Sequence, residues 1–216
     1  GGARAVDPAG VIEDVADADE AGREVVVVHG GSTAVDDTLE AMGQEPEYVT
    51  TPSGVSGRFT DDETLEVFEM VLPGKLNTEL VTELRAAGGN AVGLSGVDGG
   101  LITGPRKSAV RIVEDGKKKI RRGDHAGTPE QVNADLLQSL LADGYVPTVS
   151  PPMLADDDTA ANADADRVAA LLAAELGAEL VLLTDVDGVY ADPDDPDTLI
   201  DEASTPAEFA AVEDAA

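Results

Sequence analysis

Four consecutive valines at 25–28 run straight into His29-Gly30-Gly31-Ser32. A strand with one solvated face alternates apolar and polar residues. An unbroken β-branched run that ends in glycine instead reads as a strand buried on both faces, as in a parallel sheet. Parallel strands need crossover connections, and the chain supplies them. Apolar runs at 91–94, 146–150 and 180–183 alternate with helical patterns at 34–42, 61–71, 75–87, 129–142, 163–176 and 205–212. Pro73 separates the second helix from the third, Gly88-Gly89 closes the third, and Pro151-Pro152 ends the strand at 146–150. The expected fold class is α/β, a three-layer αβα sandwich around a mainly parallel central sheet. The β-branched and basic stretches that flank Glu114-Asp115-Gly116 predict a β-hairpin near 108–122, projecting from that sheet.

Composition narrows the function classes. Aromatics are 3% of the 216 residues and Trp is absent, so Ala, Val and Leu must fill the core. The absence of Cys excludes disulfides, thiolate metal sites and a Cys nucleophile, and fits a reducing cytoplasm. No apolar run approaches the roughly 20 residues of a membrane span, and no signal peptide is visible. With 44 acidic residues against 14 basic, the formal charge is -30. Such acidity marks disorder in a chain without a core. Here apolar periodic segments recur throughout, so the charge reads as the surface of a halophile, hydrated and screened in concentrated salt. That surface repels nucleic acid and anionic membranes. Both ends read as cut: the chain opens on Gly1-Gly2 and closes on an acidic, Ala-rich stretch.

Three expected strand ends carry turns rich in Gly or Asp: Gly30-Gly31-Ser32, 95–100 and 184–188. In open α/β sheets, ligands sit at the carboxyl ends of strands. Glycines there let backbone N–H groups close on phosphate or carboxylate oxygens, with a following helix dipole in support. Any one such turn reads equally well as a tight βα connection, but three in one chain point to an anion site. His29 at a strand end suits a structural role, and Asp164 and Asp166 at a helix start also suit the helix dipole.

In their order, the segments 25–32, 57–60 (Gly-Arg-Phe-Thr), 64–77, 93–101, 162–167 (Asn-Ala-Asp-Ala-Asp-Arg) and 182–189 resemble the amino acid kinase family. They are most similar to acetylglutamate kinases and their carrier-protein-dependent relatives. The resemblance covers nearly the whole chain. It implies an ATP-dependent kinase whose phosphoryl acceptor is a side-chain carboxylate, with Mg2+ bound through the phosphates and no metal site of the protein's own. Gly30, Gly31 and Ser32 would lie against the substrate, Arg58 would clamp its far carboxylate, and Asn162 would also hold it. Asp166 would organise the catalytic site. Gly2, Thr184, Asp185, Gly188 and Val189 would lie on the nucleotide side. The family's two phosphate-bridging lysines would fall outside this chain. Residues 1–216 would then be one domain cut at both ends, with a substrate lobe over about 1–150 and the start of a nucleotide lobe over about 151–216. A cytoplasmic homodimer is the oligomer the resemblance implies.

Within the family the substrate is either free N-acetylglutamate or a glutamate or 2-aminoadipate whose amino group is capped by the acidic carrier protein LysW. Two features favour the carrier. The 162–167 segment is similar to the carrier-dependent branch. Charge is also sharply local: residues 106–122 hold eight of the 14 basic residues against Glu114 and Asp115 alone, while the rest of the chain holds six against 42 acidic ones. A cationic hairpin on an acidic protein is a dock for an acidic partner, through Lys117, Lys118, Lys119, Arg121 and Arg122. The plainer reading is edge protection by charge. A non-catalytic amino acid or nucleotide sensor is a third possibility, disfavoured by the presence of Arg58, Asn162 and Asp166.

The charge itself generates a test. The melting temperature should rise between about 0.1 and about 2 M KCl, as the Debye length falls from about 10 Å to under about 3 Å. A melting temperature that does not rise contradicts the halophile reading.

Overall fold

The valine run forms a strand, but a short one. The computed structural model describes residues 8–52, 54, 56–114, 117–183, 188–192, 195–200, 202–203 and 205. In it β1, Val27–Val28, pairs in parallel with β9, Val146–Ala155. The first eight residues of β9 are all buried. Strand β4, Ala91–Gly96, pairs with β9 in parallel from Ala91↔Val146 onward. Further along, β5 (Ile102–Gly104) pairs with β9 in parallel and β10 (Ala160–Ala161) antiparallel. Strand β8, Gln131–Val132, adds antiparallel to β5. The sheet is therefore mainly parallel, as expected.

Helices cover both faces. Val146 and Val149 are three residues apart on one strand, so they point to opposite sides. On one side Val146 joins Ala91, Ile12 of α1 (Pro8–Glu20) and Leu84 of α4 (Asn77–Ala86). On the other, Val149 and Met153 pack with Leu137 of α5 (Ala134–Ala142) and with Val168 and Leu172 of α6 (Ala165–Leu176). A third apolar cluster joins α2 (Ser32–Ala41) to α3 (Asp62–Glu69) through Val35, Leu39, Val67 and Phe68.

Four expectations are corrected. Pro73 does not end a helix: α3 continues through π-helical turns, Met70–Leu76, into α4. The wide turn absorbs the missing proline N–H, and the Asn77 N–H bonds back to the Leu72 carbonyl. Strand β9 runs through Pro151 and Pro152, because the register with β4 steps from Ser95↔Ser150 to Gly96↔Met153 and leaves both prolines without a ladder bond to make. Residues 129–133 are not helical: Gln131–Val132 is a strand, and Asn133 caps α5 by accepting from the Leu136 N–H at 3.3 Å. Residues 180–183 form no strand; among the described residues nothing pairs with them, and Leu180, Val181, Leu182 and Leu183 are all exposed. The expected helix at 205–212, apart from Thr205, and the Asp115-Gly116 turn lie outside the described residues. Sequence reasoning missed α1 and the ribbon of β2 (Tyr48–Thr50) and β3 (Ser56–Arg58). The hairpin is present as β6, Ala109–Glu114, and β7, Lys117–Arg122. Among the described residues no helix is long and apolar enough to cross a membrane.

The proline step has a steric corollary. A Cβ on Gly96 would lie 2.5 Å from the Pro152 carbonyl oxygen and 2.9 Å from Ile102 Cγ1. Gly96→Ala should therefore cost about 2–4 kcal/mol, a melting temperature lower by roughly 5–10 °C. Gly123→Ala, at φ +84 but with open space around its Cβ, should cost only about 1–2 kcal/mol. Equal losses by thermal melting would contradict the account of the bulge.

Candidate active site

Strand β1 ends beside the middle of the sheet, where the His29 N–H bonds the Val149 carbonyl at 3.1 Å. Gly30 and Gly31 then turn the chain into α2. A Cβ on Gly31 would meet Leu76 Cδ1 at 2.2 Å and Leu72 Cδ2 at 2.6 Å, so this loop sits directly on the π-helical turns. Gly31 is the cap residue of α2 and has no side chain to close the helix start. The N–H groups of the first turn and the helix dipole are thus left for an anion.

Arg58 comes to that helix start from β3. Its side chain is only 8% exposed and forms an ion pair with Asp36 on α2. Nη2 donates to the Ser32 hydroxyl at 2.7 Å, the Ser32 carbonyl at 3.1 Å and the Tyr48 hydroxyl at 2.9 Å. Tyr48 closes the ring by donating to Asp36 at 2.8 Å, with its aromatic face 5.1 Å from the guanidinium carbon. The planar fork of arginine makes these contacts together. Arg58 and Ser32, singled out in separate segments of the sequence, are thus in one cluster. Asp36 and Tyr48 were missed, although Asp36 lies four residues beyond Ser32 and so on the same helix face.

Asn162 joins a second, adjoining network. Its side-chain amide donates to the Thr60 hydroxyl at 2.9 Å, and Thr60 is fully buried two residues beyond Arg58. The Thr60 N–H is held by the buried Asp124 carboxylate at 3.3 Å, and the Thr60 carbonyl accepts from His125 N–H at 2.7 Å. The Asn162 N–H in turn bonds the His125 carbonyl at 2.9 Å. The His125 ring lies between Asp62 (Nε2 to Oδ1, 2.7 Å) and Arg106 (Nη1 to Nδ1, 3.0 Å). Arginine only donates, so Nδ1 accepts from Arg106 and Nε2–H donates to Asp62. Arg106 also grips Asp157 through Nε at 3.2 Å and Nη2 at 2.7 Å. Hydrogen bonds from the Thr159 hydroxyl and Arg106 lower the Asp157 pKa below the ordinary carboxylate value, to about 2.

Asp164 caps α6 by accepting from the Arg167 N–H at 2.9 Å, and Asp166 stands exposed in that helix's first turn, just beyond Asn162. His29 keeps its Nδ1 on the Gly30 carbonyl at 3.0 Å, while its Nε2 is buried with no hydrogen-bond partner among the described residues. Burial lowers its pKa, so the ring beside the glycine loop stays neutral.

The other two Gly-rich turns differ from the first. At 95–100 the Asp98 carboxylate accepts from the Ser95 N–H at 2.8 Å, so the turn is partly closed by its own side chain. In the third segment, Gly188 packs against Leu199, 2.9 Å from where a Cβ would stand, and the Val189 carbonyl accepts from the Ile200 N–H at 2.8 Å. Gly2, Thr184 and Asp185 lie outside the described residues. On the basic hairpin, Lys117, Lys118 and Arg122 are exposed and Lys119 pairs with Glu114. Arg121 pairs with Glu47 and stacks 4.1 Å from the Phe59 ring centre.

An uncapped helix start, an arginine laid across it and a sheet end that gathers both are suited to binding an anion. The [LysW]-aminoadipate kinase of Deinococcus radiodurans is 48% identical over 203 residues, covering 94% of this chain and 70% of that protein. An acetylglutamate kinase of Methanopyrus kandleri is 49% identical over 177 residues, 82% of this chain and 68% of the relative. Among solved structures, N-acetylglutamate synthase from Neisseria gonorrhoeae superposes with a TM-score of 0.73 at 22% identity, over 100% of this chain and 46% of that one; it speaks for the fold alone. The model of the amino acid kinase family matches residues 1–211, and it is to this family that the chain belongs.

Proposed function

We propose that the protein transfers the γ-phosphoryl group of ATP to the side-chain carboxylate of L-2-aminoadipate or L-glutamate carried on LysW, releasing ADP and an acyl phosphate. The observation that carries the reading is Arg58 lying on Ser32 at the open start of α2. The choice of carrier-bound substrate rests on similarity to a [LysW]-aminoadipate kinase over 94% of the chain. A second reading, phosphorylation of free N-acetylglutamate, is favoured by comparable identity to an acetylglutamate kinase.

The chemistry asks little covalent help of the protein. A carboxylate is already a nucleophile, so no general base is required; its oxygen attacks the γ-phosphorus as the bond to ADP breaks. The obstacle is anion meeting anion, which alignment, N–H groups and cations overcome. The N–H groups at Gly31 and Ser32 would face the transferring oxygens. Arg58, already oriented by Asp36 and Tyr48, would take the substrate's far carboxylate. Asn162 and Thr60 would border the same pocket, and Asp166 would orient the family's lysines by charge. Gly2, Thr184, Asp185, Gly188 and Val189 would lie along the nucleotide, with residues from about 151 onward in its lobe. A Mg2+ ion bound through the phosphates would neutralise their charge. A homodimer, a cytoplasmic location and a docking role for the hairpin cations belong to the same reading.

Two substitutions in the full-length protein test it. Arg58→Lys loses the two-pronged grip and should raise KM for the carboxylate substrate about tenfold or more, with a smaller change for ATP. Asp166→Asn should lower kcat about 100-fold, with a smaller change in KM. An equal loss of ATP affinity in the first variant would move Arg58 to the nucleotide side. Near-native turnover in the second would remove Asp166 from the catalytic assembly.

A further inference from the structure

The two faces of the β6–β7 hairpin have different environments. Residues directly opposite in an antiparallel ladder share a face. The pairs Val110–Arg121, Ile112–Lys119 and Glu114–Lys117 form one face, and Ala109–Arg122, Arg111–Ile120 and Val113–Lys118 form the other. The first face holds the hairpin to the protein. Ile112 is buried, Arg121 stacks on Phe59 and pairs with Glu47, and Lys119 is engaged by Glu114. The second face is open to solvent. Ile120 is 68% exposed there and Val113 38%. Arg111 stands across the ladder from Ile120, Lys118 and Arg122 lie two residues from Ile120 on β7, and all three cations are exposed.

Edge protection explains the charges but not the isoleucine. An exposed apolar side chain amid them adds nothing to charge repulsion and costs solubility. An apolar centre inside a cationic rim has the anatomy of a protein interface instead. We infer that this outer face docks the acidic carrier, through Arg111, Lys118 and Arg122 around Ile120, that Arg121 serves to hold the hairpin in place, and that the charge of Lys119 is taken up by Glu114 within the hairpin itself. The inference rests on the carrier-dependent reading above, and it replaces five undifferentiated cations with a defined face. The inner face also connects docking to the site: Arg121 grips Glu47 and Phe59, the immediate neighbours of Tyr48 and Arg58.

The test titrates purified LysW against full-length wild type and three variants by biolayer interferometry, at the lowest KCl concentration that keeps each protein folded. Arg111→Glu/Lys118→Glu/Arg122→Glu should slow association about tenfold or more, an effect that shrinks with added salt. Ile120→Ser should speed dissociation roughly three- to tenfold. Both should melt within about 2 °C of wild type, as exposed substitutions do. Arg121→Gln should lower the melting temperature and leave the association rate within about twofold of wild type. Carrier binding that survives the triple reversal but is lost on changing Lys117 and Lys119 overturns the inference and leaves the carrier reading standing. Salt-sensitive self-association abolished by the triple reversal, with carrier binding intact, also overturns it by assigning the face to a second copy. Turnover of free N-acetylglutamate by a wild-type protein that does not bind LysW at all overturns the carrier reading and the docking face together.

Discussion

Strand β9 is the constraint on which the rest depends. It pairs with each of β1, β4, β5 and β10, and its first eight residues are buried. Because β1 and β4 run parallel to it, the Gly30-Gly31 turn and the Ser95-Gly96 bulge emerge at the same end of the sheet. Asn77 braces this arrangement from the helical layer. Its buried amide donates to the Leu94 carbonyl at 3.2 Å and the Thr148 carbonyl at 2.9 Å, spanning β4 and β9. The π-helical turns that admit Pro73 also set Leu72 and Leu76 beneath Gly31. A backbone irregularity thus positions the loop that opens α2.

Electrostatics follows a similar economy. In a chain of net charge -30, a functional cation must be kept from the nearest surface carboxylate or be paired in a useful direction. Arg58 takes the second course: Asp36 and Tyr48 occupy part of the guanidinium and point the remainder at the helix start. Arg106, His125, Asp62 and Asp157 form a neighbouring chain of contacts that ties the loops around Thr60 and Asn162. The hairpin sorts its cations by face, with the alternation of the strands deciding which are engaged and which remain open.

The layer order and the parallel sheet were legible because long periodic runs carry them, and the hairpin because β-branched and basic stretches flank an Asp-Gly dipeptide. Arg58, Ser32 and Asn162 were legible as members of an ordered motif set. The misreadings share a physical cause. Pro73 and Pro151-Pro152 are local breakers, yet here a π-helical turn and a register step absorb them, and neither is visible without the neighbouring element. The apolar residues at 180–183 have strand propensity, but a strand needs a ladder, and none is present among the described residues. Asp36, Tyr48 and Asp124 were missed because nothing distinguishes a structural carboxylate or phenol from a surface one until its partner, 22, 10 or 64 residues away in sequence, is known.

The central claim is that a carrier-bound carboxylate becomes an acyl phosphate. Trapping with hydroxylamine reads that product directly. Full-length protein in molar KCl with ATP should give hydroxamate from LysW-bound aminoadipate or glutamate, at a rate well above that from free N-acetylglutamate. Hydroxamate from free N-acetylglutamate alone, or from neither substrate while the protein remains folded, would contradict the account.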